Sequence, residues 1–216
     1  SQGRYDVIAF DPVCTLVTHG DVTTIEQNGT VSESSANPFE LLKTQLLGFD
    51  NSAFPELPFN GGAMGYFSYD LGRRLERLPV LSEDAEHIAE MAVGIYAWAL
   101  LVDHHTQQSI LVGQAVDDAT WQALIALFST LPTAKPAAPF AVTSSVQSNM
   151  SRERYQQAFD KIKFYLKEGD CYQVNLTQRF SASCEGNPWT AYLALRELNA
   201  APFSAYLNLP DVQILS

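Results

Sequence analysis

The chain has 216 residues, 46% hydrophobic and 17% charged, with a formal net charge of −11 at pH 7. This is a folded composition rather than a disordered one, and the length allows one large β-rich domain or two small ones. The acidity argues against nucleic acid and anionic membrane surfaces as partners, since phosphate binding draws on Lys and Arg, but a few local Arg residues can still hold a small anion.

Tyr5 to Ala9 reads as a strand, broken at Asp11-Pro12 and resumed from Cys14 to Thr18. Val22 to Glu26, Asn28-Gly29 and Thr30 to Glu33 form a hairpin signal, because Asn-Gly accepts the positive φ angles of a type I′ turn. Asn37-Pro38 starts a helix with Phe39, Leu42 and Leu46 on one face and Gly48 closing it. A turn at Phe59-Asn60-Gly61-Gly62 leads to a strand from Ala63 to Tyr69. Asp70 then caps a short helix that lines up Leu71, Leu75 and Leu78 and carries Arg73, Arg74, Glu76 and Arg77 on its other face. Met91 to Asp103 is a long apolar run, turned at Asp103-His104-His105-Thr106 and answered by Gln108 to Gly113. Asp118 caps a helix with Trp121, Leu124, Ile125 and Phe128 inside.

Residues 131–139 are a Pro/Ala-rich connector. Ser151 caps the longest helix, whose Tyr155, Phe159, Ile162 and Leu166 make one stripe, with Gly169 at the left-handed C-cap position. A strand from Gly169 to Phe180 follows. Its even positions carry Tyr172, Val174, Leu176 and Phe180, which read as core, and its odd positions carry Gln173, Asn175, Thr177 and Arg179. That polar row suits either the lining of a pocket for a small polar or anionic molecule or an exposed strand face. Asn187-Pro188 begins another helix ending near Asn199, and Ser204 to Leu209 pairs across Pro210-Asp211 with the terminal strand. Hairpins joined by inserted helices give an α+β fold with mainly antiparallel sheets.

Cys14, Cys171 and Cys184 are far apart and show no metal-ligand spacing, which favours reduced thiols and a cytoplasmic setting. Cys171 lies near a helix C-terminus, whose dipole disfavours a thiolate. No apolar run reaches membrane-spanning length, and both ends read as cut from something longer. The cluster Gly61, Gly62 and Gly65 fits a turn or crowded packing better than a phosphate cradle, and His104-His105 fits a solvated turn better than a metal site. Arg73, Arg74 and Arg77 read as a solvated face paired with Glu76, with anion binding as the other reading. Tyr5 and Phe203 stand beside small or polar residues at strand entrances: they are core packing, or together they frame an apolar slot with polar edges, the shape an aromatic amino acid needs.

Several segments together resemble the chorismate-utilising enzymes: Gly169-Asp170-Cys171-Tyr172-Gln173-Val174-Asn175-Leu176 through Arg179-Phe180, Phe59 to Asp70, Met91 to Leu100, Ser148 to Glu153 and Ala201 to Ala205. The resemblance implies two packed antiparallel β-sheets with outer helices, of which residues 1–216 would be the N-terminal part of a single domain. It implies the branch that joins chorismate and ammonia into 4-amino-4-deoxychorismate for para-aminobenzoate and folate, with a glutamine amidotransferase subunit supplying ammonia and Mg²⁺ required. The alternatives are the anthranilate branch and a non-catalytic amino-acid-binding module. The family's catalytic acid, Lys nucleophile and metal ligands match no residue of this chain and are expected beyond Ser216, so the chain alone is expected to be inactive. What the chain would carry is a tryptophan site, walled by Gln2, Gly3, Arg4 and Tyr5 and by Pro202, Phe203 and Ser204. Tyr172, Gln173 and Asn175 are possible pocket lining.

Overall fold

A computed structural model describes residues 3–50, 52–80, 84–130 and 137–216. The chain divides into two compact units, Ser1–Ala134 with Asn199–Ser216, and Lys135–Leu198. The division falls within the Pro/Ala-rich connector, of which residues 131–136 lie outside the described residues.

In the first unit the strands are β1 (Tyr5–Ile8), β2 (Cys14–His19), β3 (Val22–Gln27) and β4 (Thr30–Ser34), followed by helix α1 (Pro38–Leu46). Then come β5 (Gly62–Phe67), a 3₁₀ turn (Tyr69–Arg74), β6 (Met91–Tyr96), β7 (Trp98–Asp103), β8 (Gln108–Gly113) and α2 (Asp118–Ser129). One antiparallel sheet has the order β4-β3-β2-β6-β5 and another the order β1-β7-β8. The long apolar run from Met91 is therefore two strands in two sheets, parted at Ala97.

Alternation explains the core. In β2, Cys14, Leu16 and Thr18 point to one face and are buried, while the residues between them are only partly covered. Leu16 packs with Met91, Val93 and Ile95 of β6, Leu42 of α1 and Leu71 of the 3₁₀ turn. Thr18 and Thr23 meet hydroxyl to hydroxyl at 2.9 Å, which satisfies two buried polar groups. Ala99, Leu101 and Val112 form a second cluster on β7 and β8.

Several local expectations hold. Asn28 and Gly29 take φ of 53° and 72°, the left-handed pair of the expected turn. The Asn37 side chain accepts from the Phe39 N–H, with Pro38 opening α1. Others change. Leu47, not Gly48, ends α1. Asp117, not Asp118, caps α2, accepting from the Thr120 N–H at 2.9 Å. Asp70 does not cap a helix; it pairs with Arg73 at 2.8 Å, and the segment is a 3₁₀ turn that buries Leu71 and leaves Leu75 and Leu78 exposed.

The second unit holds β9 (Ala141–Val142), β10 (Gln147–Ser148), α3 (Arg152–Glu168), β11 (Phe180–Ser181), β12 (Cys184–Glu185) and α4 (Pro188–Leu198). β10 pairs with β11 and β9 with β12. Ser151 caps α3 by accepting from the Arg154 N–H, and Gly169 closes it at φ 83°. No residue of α3 is buried, so the stripe of Tyr155, Phe159, Ile162 and Leu166 covers no core within its unit. β13 (Tyr206–Asn208) and β14 (Gln213–Leu215) form the expected hairpin in the first unit.

The strand expected from Gly169 to Phe180 is corrected. Only Phe180–Ser181 joins a ladder, and residues 171–179 are without regular structure. Its even face is not core: Tyr172 is 99% exposed, and Val174 and Phe180 are exposed as well. The alternation was real, but a strand also needs a neighbour to take its N–H and C=O groups, and among the described residues no strand pairs with 172–178.

Candidate functional site

Gly3 and Pro202, one residue from each segment expected to wall an amino-acid slot, touch in the first unit. Gly3 lies so close to the 202–204 loop that a Cβ on it would stand 2.7 Å from the Pro202 carbonyl oxygen. Real side chains do not tolerate that approach, so glycine is what lets the two segments touch. Gln2 lies outside the described residues. On the far wall, Ser204 Oγ donates to the Ala201 carbonyl at 3.2 Å, and Ala205 exchanges both backbone hydrogen bonds with Ser216 at 2.9 Å. The loop is thus tied to the base of the β13–β14 hairpin. Phe203 is 92% exposed, so its ring packs into no core among the described residues.

Arg4 sits beside Gly3, but its side chain has a partner within the chain. The guanidinium donates to Asp103, with Nη2 2.8 Å from Oδ2 and Nε 3.3 and 3.2 Å from the two oxygens, and it lies 4.7 Å over the Tyr5 ring. The Asp103 side chain is only 3% exposed. It also accepts the N–H groups of His105 at 2.8 Å and Thr106 at 3.3 Å. These donors, led by Arg4, outweigh burial and hold its carboxyl well below the usual range. Tyr5 pairs with Asp103 at the end of the β1–β7 ladder, and the His104 N–H donates to the Arg4 carbonyl at 2.9 Å. His104 Nε2 lies 3.1 Å from Asp6 Oδ2 without hydrogen-bond geometry.

Sequence reading treated Asp103 only as the start of a turn. Its signal was the pattern Asp-x-His-Thr closing a strand, in which an aspartate can accept the N–H groups two and three residues on.

Tyr172, Gln173 and Asn175 enclose no pocket within their unit, because all three are exposed. Gln173 does reach Asn175 side chain to side chain at 3.5 Å, as residues two apart on one extended face should. The ladder begins only where Asn149 and Arg179 bond to each other at 3.0 Å.

Two hollows lie elsewhere in the first unit. One of about 560 Å³ is lined by Asp21, Ser35, Asn37, Arg73 and Arg74. Arg74 is taken by Asp21 at 2.7 Å and by carbonyls of Gly20, Ser35 and Ala36. Arg73 is taken by Asp70 and the carbonyls of Leu78 and Pro79. These arginines fasten loops; their acidic partners are Asp70 and Asp21 rather than Glu76. The second hollow, about 380 Å³, runs beside Phe10, Trp98 and Leu124. Among the described residues no three His, Cys, Asp or Glu side chains converge, so they offer no fit to the Mg²⁺ that the resemblance implies. None of the described helices is long and apolar enough to cross a membrane.

The profile of one family, described as chorismate binding enzyme, matches residues 1–216. Aminodeoxychorismate synthase component 1 of Klebsiella aerogenes is 45% identical over 218 residues, covering 100% of this chain and 47% of that protein. The protein of the same name from Escherichia coli K12 is 42% identical over 217 residues, covering 99% of this chain and 46% of its own length. Anthranilate synthase component 1 of Acetivibrio thermocellus is 32% identical over 231 residues, covering 98% and 47%. The crystal structure of anthranilate synthase component I from Streptococcus pneumoniae TIGR4 superposes with a TM-score of 0.83 at 23% identity, over 99% of this chain and 49% of that one, a likeness of fold. The chain spans about half the length of the relatives it matches.

Proposed function

Because the chain belongs to the chorismate binding enzyme family, we propose that it is the N-terminal part of an aminodeoxychorismate synthase large subunit. The complete protein would turn chorismate and ammonia into 4-amino-4-deoxychorismate in the cytoplasm, on the way to para-aminobenzoate and folate. A glutamine amidotransferase subunit would supply the ammonia. The observation that carries this reading is the 45% and 42% identity, along the whole chain, to proteins named for that activity. The anthranilate branch is the second reading, favoured by relatives of lower identity such as the one at 32%.

The catalytic acid, the Lys nucleophile and the Mg²⁺ ligands belong, on this reading, to polypeptide outside residues 1–216. Mg²⁺ would neutralise the substrate carboxylate there. The described residues would contribute scaffold and one side of a tryptophan slot beside the Gly3–Pro202 contact. Tryptophan suits that place: Phe203 offers an open ring to stack on an indole, and backbone groups of Pro202 and Ser204 would meet the amino-acid head.

The test is product identification. The full-length protein, incubated with chorismate, ammonia and Mg²⁺, should release 4-amino-4-deoxychorismate, seen by chromatography and mass spectrometry. Anthranilate as the sole product would overturn the amination reading in favour of the second. Tryptophan should be found in the purified protein by mass spectrometry, or should give heat on titration after dialysis; neither signal would remove it from the slot.

A further inference from the structure

We infer that Asp103 is the positioning residue of the amino-acid slot: it grips Arg4, holds Gly3 and Tyr5 opposite Pro202, and so sets affinity without touching the ligand. The inference rests on the tryptophan reading above and adds to it a residue that lies outside both walls.

The β1–β7 ladder stops at Tyr5 and Asp103. Gly3 and Arg4 therefore run past the last ladder pair, where an extended end would ordinarily fray. Two attachments hold them. The Arg4 carbonyl accepts from the His104 N–H, and the Arg4 guanidinium grips Asp103 through both Nε and Nη2. Asp103 is itself fixed by the N–H groups of His105 and Thr106. One side chain thus closes the β7–β8 turn and pins the start of β1. Such charge-assisted, forked pairs specify direction as well as energy.

Gly3 has no slack against the Pro202 carbonyl, so any shift of this entrance disturbs the contact beside which the slot would lie. The guanidinium over the Tyr5 ring stiffens that ring too. The clamp has a second consequence. With its charge spent on Asp103, Arg4 presents no loose cation to the slot, and the ligand's carboxylate is left to neutral backbone groups.

L-Tryptophan titrated calorimetrically into the complete protein distinguishes the possibilities. Asp103→Asn and Arg4→Gln should each raise Kd about fivefold or more, the scale of one charge-assisted bond. Because both act through one contact, Asp103→Asn with Arg4→Gln should bind no worse than the weaker single variant. Asp103→Glu, which keeps the charge, should recover most of the loss. Kd within twofold of the unaltered protein for Arg4→Gln, whose side chain is half exposed and whose loss the fold should survive, overturns the inference. So do losses that multiply in the double variant. If the unaltered protein binds no tryptophan at all, the tryptophan reading fails, and the inference falls with it.

Discussion

Asp103 brings three donors from two segments onto one buried carboxylate, and the ionised form is what those donors favour. Its folded pKa lies below the ordinary 3.8, so the unfolded chain takes up a proton that the folded chain refuses as pH falls past that value. The stabilisation is therefore fully present above about pH 5 and is lost on acidification. Other carboxylates, such as Asp117 and Glu153, are also held low, so acid weakens the fold at several points. The informative comparison is between proteins. Urea unfolding at pH 6 and at pH 3 should show the unaltered protein losing more stability than Asp103→Asn; equal losses would mean that the pair contributes nothing. Sequence reading found Arg4 and Tyr5 but not their anchor, because the partner is 99 residues away and a chain read locally cannot reveal which turn closes over which entrance.

At the scale of elements, position within a sheet decides what a side chain contributes. β2 lies at the centre of its sheet, and Leu16 in it is 0% exposed; β4 is an edge, and Val31 in it is 62% exposed. Leu16→Ala should cost about 2–5 kcal/mol, the range for a buried leucine whose cavity does not close. Val31→Ala should stay within about 0.5 kcal/mol, as exposed substitutions usually do. Denaturant unfolding of both variants checks the contrast, and equal costs would contradict the sheet order. What was legible in the sequence follows the same logic. The Asn28-Gly29 hairpin, the Asn37 and Ser151 caps and the Gly169 stop are satisfied within a few residues, so local chemistry announces them. The switch of sheets at Ala97 and the missing ladder along residues 172–178 depend on distant strands, and no local pattern encodes these. Asp117 and Asp118 can each cap α2 by composition, and only the geometry of the turn before it chooses between them.

At the scale of the molecule, the proposed amination of chorismate calls for a general acid and a nucleophile, which the reading places outside residues 1–216. A general acid needs a carboxyl pushed up toward neutrality, whereas Asp103 is pushed down and tied to Arg4. A nucleophilic lysine needs desolvation or a neighbouring cation in a closed site to lose its proton near pH 7. Lys43, Lys161, Lys163 and Lys167 all stand exposed on helix surfaces. The chain also leaves much apolar surface uncovered, including Phe159 and Leu166 of α3 and the Tyr172, Val174 and Phe180 side chains, which fits a scaffold that gains its covering from further polypeptide. Residues 1–216 expressed alone should therefore give no 4-amino-4-deoxychorismate above the uncatalysed background from chorismate, ammonia and Mg²⁺, while a polypeptide of the relatives' full length should turn over under the same conditions. Adding purified downstream polypeptide to the 1–216 chain should restore product, because the missing groups would then be supplied in trans. Sustained turnover by 1–216 alone would place the acid and the nucleophile within this sequence and overturn the division of labour proposed for it.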